Sequence, residues 1–97
     1  MHMSTLFERT DGFVYRQVAG EHLLVALKRD RTAPMFMLTP TAGFVWDQLT
    51  SWTTVDRLVE RVVAEFDVDD ETARRDVADF LDQLRSLGAV ATRANDS

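Results

Sequence analysis

The sequence predicts one α+β domain in which a three-stranded antiparallel sheet precedes three helices. Three observations support this prediction. Short apolar runs separated by turn residues occupy the first part of the chain, as is typical of strands. Two stretches in the second half repeat apolar residues with the helical period. Between these regions, the run Met35–Leu38 passes directly into a helix, because Thr39 is a good N-cap and Pro40 suits the first helical position.

Length and composition exclude several classes of protein. A chain of 97 residues is long enough for one domain, and a fold of this size leaves little room for an enclosed active site. Cysteine is absent, so disulfides and thiolate metal sites are excluded. We find no secretory signal and no run of about 18 apolar residues, and therefore expect a cytoplasmic protein without a membrane partner. The net charge of -5 opposes binding to nucleic acid.

The strands are predicted from residue type and from their boundaries. Residues 1–12 are polar and end in a turn signal, so we expect a flexible N-terminal arm. Phe13–Val18 is rich in β-branched and aromatic residues, and residues 22–28 are apolar on both faces, as expected for a central strand covered on both sides. Met35–Leu38 follows a proline, which favours an edge position. An edge strand leaves N–H and C=O groups open to another chain.

Three helices are predicted after the strands. The first spans residues 40–49, and the second begins with Thr53 as its N-cap and Asp56 at the third helical position. The third begins at the N-cap Asp69 and ends at Gly88, which serves as a left-handed cap. The apolar stripe of the second helix is the clearest in the chain and consists of Val55, Leu58, Val59, Val62, Val63 and Phe66.

The domain therefore covers residues 13–92, and residues 93–97 are expected to form a flexible tail. The order of its elements is compatible with a winged helix-turn-helix topology, in which the strands serve as the wing. A topology does not by itself choose a function.

Residues suited to catalysis or metal binding are scarce. His22 lacks a nearby second histidine for a metal pair, and we interpret it as an ordinary surface histidine. No glycine-rich phosphate loop is present. Asp76, Asp79 and Asp82 recur every three residues along the third helix, a spacing that is also typical of a solvated face. We predict no catalytic residue, no metal ligand and no cofactor.

Peptide binding by strand addition is the function that the remaining features favour. In this mode, main-chain hydrogen bonds to a sheet edge supply affinity, and side-chain pockets supply selectivity. The predicted edge offers both, because methionine and aromatic side chains adapt to a ligand. Its residues are Met35, Phe36, Met37 and Leu38.

The third helix has two flanks beside its core stripe, and the helical wheel alone does not say which one faces the edge strand. One flank consists of Arg74, Ala78, Leu81 and Arg85. The other consists of Asp76, Phe80, Gln83 and Leu87. We assign the first flank to the site, because small Ala78 leaves space for an incoming strand and the arginines can pair with acidic peptide side chains.

Two alternatives stay open from the residues alone. A winged helix-turn-helix can read DNA, and the basic segment Lys28-Arg29-Asp30-Arg31 could touch a phosphate backbone, although the acidic third helix opposes this. In the other alternative, Met35 and Met37 pack a core or dimer surface, and the chain forms a homodimer through two paired edge strands.

Several stretches together resemble the PqqD family, the leader-peptide recognition proteins of ribosomally made, modified peptides. The resemblance covers the chain from about Phe13 to Thr92. The residues that support it are 38–46, the stripe Val55–Phe66 with Asp67-Val68, and 76–84 with Leu87-Gly88. Relatives usually carry a larger residue where this chain has Gly43.

The resemblance implies a non-catalytic adaptor that holds the leader of a precursor peptide and presents its core to a modifying enzyme. That enzyme would be a radical SAM enzyme, a protease or a cyclase. The resemblance also implies that the leader pairs with Met35–Leu38 and lies against residues 74–85 of the third helix. Pathways to the cofactor PQQ, to lasso peptides and to other modified peptides all agree with it.

Overall fold

The computed structural model describes residues 4–27 and 35–95, which form three helices and two three-stranded antiparallel sheets. This confirms the predicted α+β class, with a three-stranded sheet and three helices, and adds a second sheet. The elements in chain order are β1 (Ser4–Arg9), β2 (Phe13–Val18), β3 (Glu21–Ala26), β4 (Met35–Leu38), α1 (Pro40–Gln48), β5 (Thr53–Thr54), α2 (Val55–Phe66), α3 (Asp70–Leu87) and β6 (Val90–Asn95).

The first sheet has the order β2-β3-β4, so β3 is central and β4 lies at an edge, as predicted. Ala19 and Gly20 join β2 to β3 with φ angles of 51° and 82°, and two positive φ angles suit a tight hairpin turn. The central strand begins one residue earlier than predicted and ends at Ala26. The predicted basic loop that follows it lies outside the described residues.

Side chains of this sheet alternate between a helix-facing and an outer face. Leu24 is fully buried beneath the helices, and its cross-strand neighbour Phe36 packs against the same core. On the outer face, Leu23 is half-buried, while Met35 and Met37 are 60% and 70% exposed. The expectation that the central strand is covered on both faces is therefore wrong for the outer one.

The second sheet has the order β5-β1-β6 and was not predicted. Ser4–Arg9, expected to belong to a loose arm, pairs along its whole length with Val90–Asn95. The expected tail likewise becomes strand as far as Asn95. Phe7 is buried, and it lies opposite Thr53 on one side and Thr92 on the other. Partners so distant in sequence leave no local signal, which explains both errors.

The joint between β4 and α1 has the predicted geometry. Thr39 is the N-cap, and its Oγ1 accepts a hydrogen bond of 3.1 Å from the Ala42 N–H. Pro40 occupies the first helical position, where its missing N–H costs nothing. The edge strand is therefore attached to a helix through a single capped residue.

The N-cap of α2 is Thr54, one residue later than predicted. Its Oγ1 accepts a hydrogen bond of 3.2 Å from the Arg57 N–H. Thr53 is instead buried in β5, paired with β1. Asp56 consequently lies at the second helical position, and the predicted capping box does not form.

Both predicted ends of α3 are confirmed. Asp69 is the N-cap, and its carboxylate accepts a hydrogen bond of 3.4 Å from the Thr72 N–H. Gly88 adopts a left-handed conformation with φ of 73°. The three helices and both sheets share one core, whose largest fully buried side chains are Trp46, Leu24, Leu49, Leu58 and Leu84. Within the described ranges, no helix has the length and apolarity to cross a bilayer.

Candidate functional site

The outer edge of β4 has no strand partner among the described residues. On its inner side β4 pairs with β3 in the register Leu24 to Phe36 and Leu23 to Met37. In residues 4–27 and 35–95 no strand pairs with its other side, because the C-terminal strand β6 pairs with β1 in the other sheet. The edge therefore presents free N–H and C=O groups.

An apolar compartment of about 410 Å³ lies between β4 and α3. The strand contributes all four of its residues, and the helix contributes mainly large apolar side chains. Its lining consists of Leu24, Met35, Phe36, Met37, Leu38, Phe80, Gln83, Leu84 and Leu87.

A second compartment of about 400 Å³ continues from the first towards the start of α1. Unlike the first, it is bordered by two aspartates and two threonines. Its lining consists of Met37, Leu38, Thr39, Thr41, Ala42, Val45, Asp76, Asp79, Phe80 and Gln83. Four of these residues, Met37, Leu38, Phe80 and Gln83, also line the apolar compartment. We call the two compartments together the β4–α3 groove.

The structure brings only half of the predicted site residues together. The four residues of β4 line the groove, whereas the α3 residues predicted with them do not. Arg74 turns towards α2, where its Nη1 lies 2.9 Å from Asp56 Oδ1. This hydrogen bond, with the nearby Asp70 carboxylate, raises the pKa of Arg74 above its usual value. Leu81 is buried in the core at 2% exposure.

The flank of α3 that faces β4 is thus the one that the sequence analysis did not choose. Ala78 and Arg85 are exposed and lie outside the groove lining. The physical reason is the pairing between α2 and α3, which fixes the rotation of α3 about its axis. A helical wheel shows one helix alone and therefore does not include contacts with a second helix. The opposite charges of Arg74 and Asp56 were the one sequence feature that could have indicated this contact.

A close contact between α1 and the first sheet fixes the sheet wall of the β4–α3 groove, which lies opposite α3. The Tyr15 hydroxyl is hydrogen-bonded to His22 Nδ1, and their rings stack with centroids 5.9 Å apart. A Cβ atom at Gly43 would lie 2.8 Å from Tyr15 Oη and 3.0 Å from His22 Nδ1. Only glycine fits here without displacing the pair. His22, interpreted from sequence as an ordinary surface residue, is therefore half-buried and structural.

Burial raises the pKa of the Tyr15 hydroxyl, and the nearby Asp47 carboxylate adds to this effect. A tyrosine hydroxyl is protonated at neutral pH even without such a shift, so its bond to His22 does not depend on the shift. No group of three or more metal-binding side chains occurs among the residues that the structure describes.

A larger depression of about 890 Å³ borders β2, whose outer edge is also unpaired in the described ranges. Its lining is charged, with Glu8, Arg9, Asp11 and Asp47. The Arg9 guanidinium lies 5.4 Å from the centre of the Trp46 ring and covers the apolar surface there. The β4–α3 groove is the better candidate because it joins a free strand edge to exposed apolar side chains.

The fold and the groove together define a small α+β recognition domain with an open sheet edge. The family model described as coenzyme PQQ synthesis protein D (PqqD) matches residues 21–90. The chain therefore belongs to the PqqD family.

One solved structure is similar to this chain in three dimensions. It is TbiB1 in complex with the TbiA(beta) leader peptide, with 26% sequence identity and a TM-score of 0.66. The alignment covers 86% of this chain and 93% of the other. No curated protein sequence matches the chain. Neither comparison supports the DNA-binding or dimerisation alternatives.

Proposed function

We propose that this protein is a non-catalytic adaptor that binds the leader of a ribosomally made precursor peptide by adding it as a strand to β4. The observation on which the proposal depends is the open β4 edge beside an apolar groove. Membership of the PqqD family supports it, as does similarity to TbiB1, which was solved with a leader peptide bound.

The size of the edge explains why the groove is needed. Alternate residues of an edge strand direct their backbone groups outward, so the four residues of β4 offer about four hydrogen bonds. At roughly 0.5–1.5 kcal/mol each, these supply about 2–6 kcal/mol before any ordering cost. Micromolar binding requires about 8 kcal/mol. Burying apolar leader side chains, at about 1.5–3 kcal/mol each, fills that gap.

The bound leader would hold the rest of the precursor near a modifying enzyme. A radical SAM enzyme, a protease or a cyclase is the expected partner, in a pathway to PQQ, to a lasso peptide or to another modified peptide. Ribosomal precursors are made in the cytoplasm, so we expect the adaptor to act there. Chemistry is left to the partner, and the groove needs only to recognise a peptide.

Fluorescence anisotropy with labelled leader segments tests the proposal. The probes are overlapping windows of any short precursor peptide found encoded near the gene of this protein. In separate variants, Phe36→Pro and Met37→Pro each remove one N–H of β4, and only one of the two N–H groups points outward. We expect the variant that removes the outward group to lose binding while its circular dichroism spectrum stays unchanged.

Matched controls lie on the other edge of the same sheet. Arg16→Pro and Gln17→Pro make the corresponding changes in β2, and whichever one folds should bind the leader like the wild type. Unchanged affinity in both β4 variants would overturn strand addition at this edge. Sedimentation velocity without and with peptide tests the homodimer. A dimer that dissociates when leader is added would indicate that two β4 edges pair with each other when the site is empty.

A further inference from the structure

The β4–α3 groove has an apolar end and an acidic end, and the strand register sets the distance between them. We propose that the bound leader carries a basic residue two positions before a large apolar residue, an inference that rests on the proposed function. The basic side chain enters the compartment beside Leu38, and the apolar one enters the compartment beside Phe36.

The spacing follows from the alternation of side chains along β4. Phe36 and Leu38 are partly buried and pack against the core, whereas Met35 and Met37 point to the exposed face. Residues directly opposite each other on paired strands place their side chains on the same face. A leader strand added to β4 therefore points two residues into the groove at these levels, and one residue separates them.

The compartment beside Phe36 selects an apolar side chain. Its helix wall is Phe80, Gln83, Leu84 and Leu87, and of the three apolar side chains only Leu87 is substantially exposed, at 39%. Its floor is Leu24, which is fully buried. A charged leader side chain would lose its hydration here and find no charged partner in the lining.

The compartment beside Leu38 selects the opposite chemistry. Asp76 and Asp79 border it, together with the Gln83 amide and the Thr41 hydroxyl, and no basic residue belongs to its lining. The ion pairs in the described ranges use Asp56, Asp70 and Glu71, so neither groove aspartate takes part in them. A lysine or arginine at this level can keep its hydrophobic stem against Phe80 while its charge reaches the carboxylates.

The order of the two residues follows from strand direction. Every strand pair among the residues that the structure describes is antiparallel, and antiparallel pairs are the more stable and the more common kind. An antiparallel leader reaches the level of Leu38 first, then Met37, then Phe36. The basic residue consequently precedes the apolar one. The leader charge proposed here is positive, whereas the arginine flank of α3 chosen in the sequence analysis would have paired with acidic leader side chains.

Peptide display tests the inference without knowledge of the natural leader. A random twelve-residue library is selected on the wild-type protein and, separately, on an Asp76→Asn/Asp79→Asn variant. We expect wild-type selections to enrich lysine or arginine two positions before a large apolar residue. Selections on the variant should keep the apolar preference and lose the basic one.

One enriched peptide is then measured by anisotropy against single variants. Asp76→Asn and Asp79→Asn should each weaken binding about two- to fivefold at low salt, with a smaller effect at 0.5 M salt because of screening. Asp82→Asn is the matched control, since this aspartate lies on α3 outside the groove lining. It should leave affinity within about 1.5-fold of the wild type.

The outcomes separate this inference from the function on which it rests. Enriched peptides without a basic preference, or with equal losses for Asp82→Asn and Asp76→Asn, would overturn the charge pattern alone. An enriched apolar-x-basic order would overturn the antiparallel direction and with it the proposed motif. If neither the library nor the precursor windows bind, both proposals are wrong.

Discussion

Two helices meet the first sheet in opposite ways. At α1 the contact is closed, because Gly43 leaves no room for even one more carbon atom beside Tyr15 and His22. At α3 it is open, because two compartments of about 400 Å³ and 410 Å³, which share Phe80 and Gln83 in their linings, lie between this helix and β4. A flexible groove would lose entropy when a peptide ordered it. The closed contact at α1 thus holds the β4–α3 groove in a shape that can bind a ligand at a smaller entropic cost.

The largest effect should come from loosening α3 on its buried side. Leu81→Ala removes a core side chain that is 2% exposed, and we expect the free energy of unfolding to fall by about 2–5 kcal/mol. Urea denaturation at constant m-value measures this. Leu87→Ala on the groove rim is the control, since a partly exposed residue should cost far less. Similar losses for the two variants would contradict the division of α3 into a buried and an open side.

The closed contact can be tested by adding the missing carbon atom. Gly43→Ala gains helix propensity of up to about 1 kcal/mol, but its Cβ would lie 2.8 Å from Tyr15 Oη. Overpacking of this kind costs about 1–3 kcal/mol, so we expect net destabilisation in urea.

A double-mutant cycle with Tyr15→Phe identifies the cause. This change removes the hydroxyl that the new Cβ would meet, and it should recover part of the loss. A Gly43→Ala variant more stable than the wild type would mean that the Tyr15–His22 pair moves freely, and the groove wall would then not be rigid.

Local features of this chain were predictable, and long-range ones were not. Thr39-Pro40 and Gly88 act on their own neighbours, so the α1 start and the α3 end were both found from sequence. β1 and β6 pair across almost the whole chain, with Ser4 opposite Asn95, and neither has a hairpin turn that announces its partner. The rotation of α3 was missed for a similar reason, because the Arg74–Asp56 contact joins two helices.

A bulky side chain placed on each flank of α3 in turn can decide which flank the leader contacts. Gln83 is exposed and lines both groove compartments, whereas Ala78 is exposed on the other flank. Gln83→Trp should weaken leader binding by more than about tenfold, a change of about 1.4 kcal/mol, because the indole occupies space that the leader needs. Ala78→Trp should leave affinity unchanged. Anisotropy titration measures both.

The reverse result, with Ala78→Trp as the blocking variant, would return the site to the arginine flank. Both residues are exposed, so each substitution should change stability by less than about 0.5 kcal/mol. A difference in binding therefore cannot be assigned to unfolding.

The smallest expected effect concerns the N-cap that begins α3. Hydrogen bonds from Thr72 lower the pKa of the Asp69 carboxyl below its usual value. A carboxyl with a lowered pKa in the folded state stabilises the fold above its unfolded pKa of about 3.9 and loses that contribution as the pH falls below it. Asp69→Asn keeps a capping oxygen but does not titrate.

Between pH 6 and pH 2.5, we expect the melting temperature of Asp69→Asn to fall less than that of the wild type, whereas Asp82→Asn, on the exposed face of the same helix, should follow the wild type. Equal slopes for Asp69→Asn and the wild type would contradict the lowered pKa of the Asp69 carboxyl in the folded state.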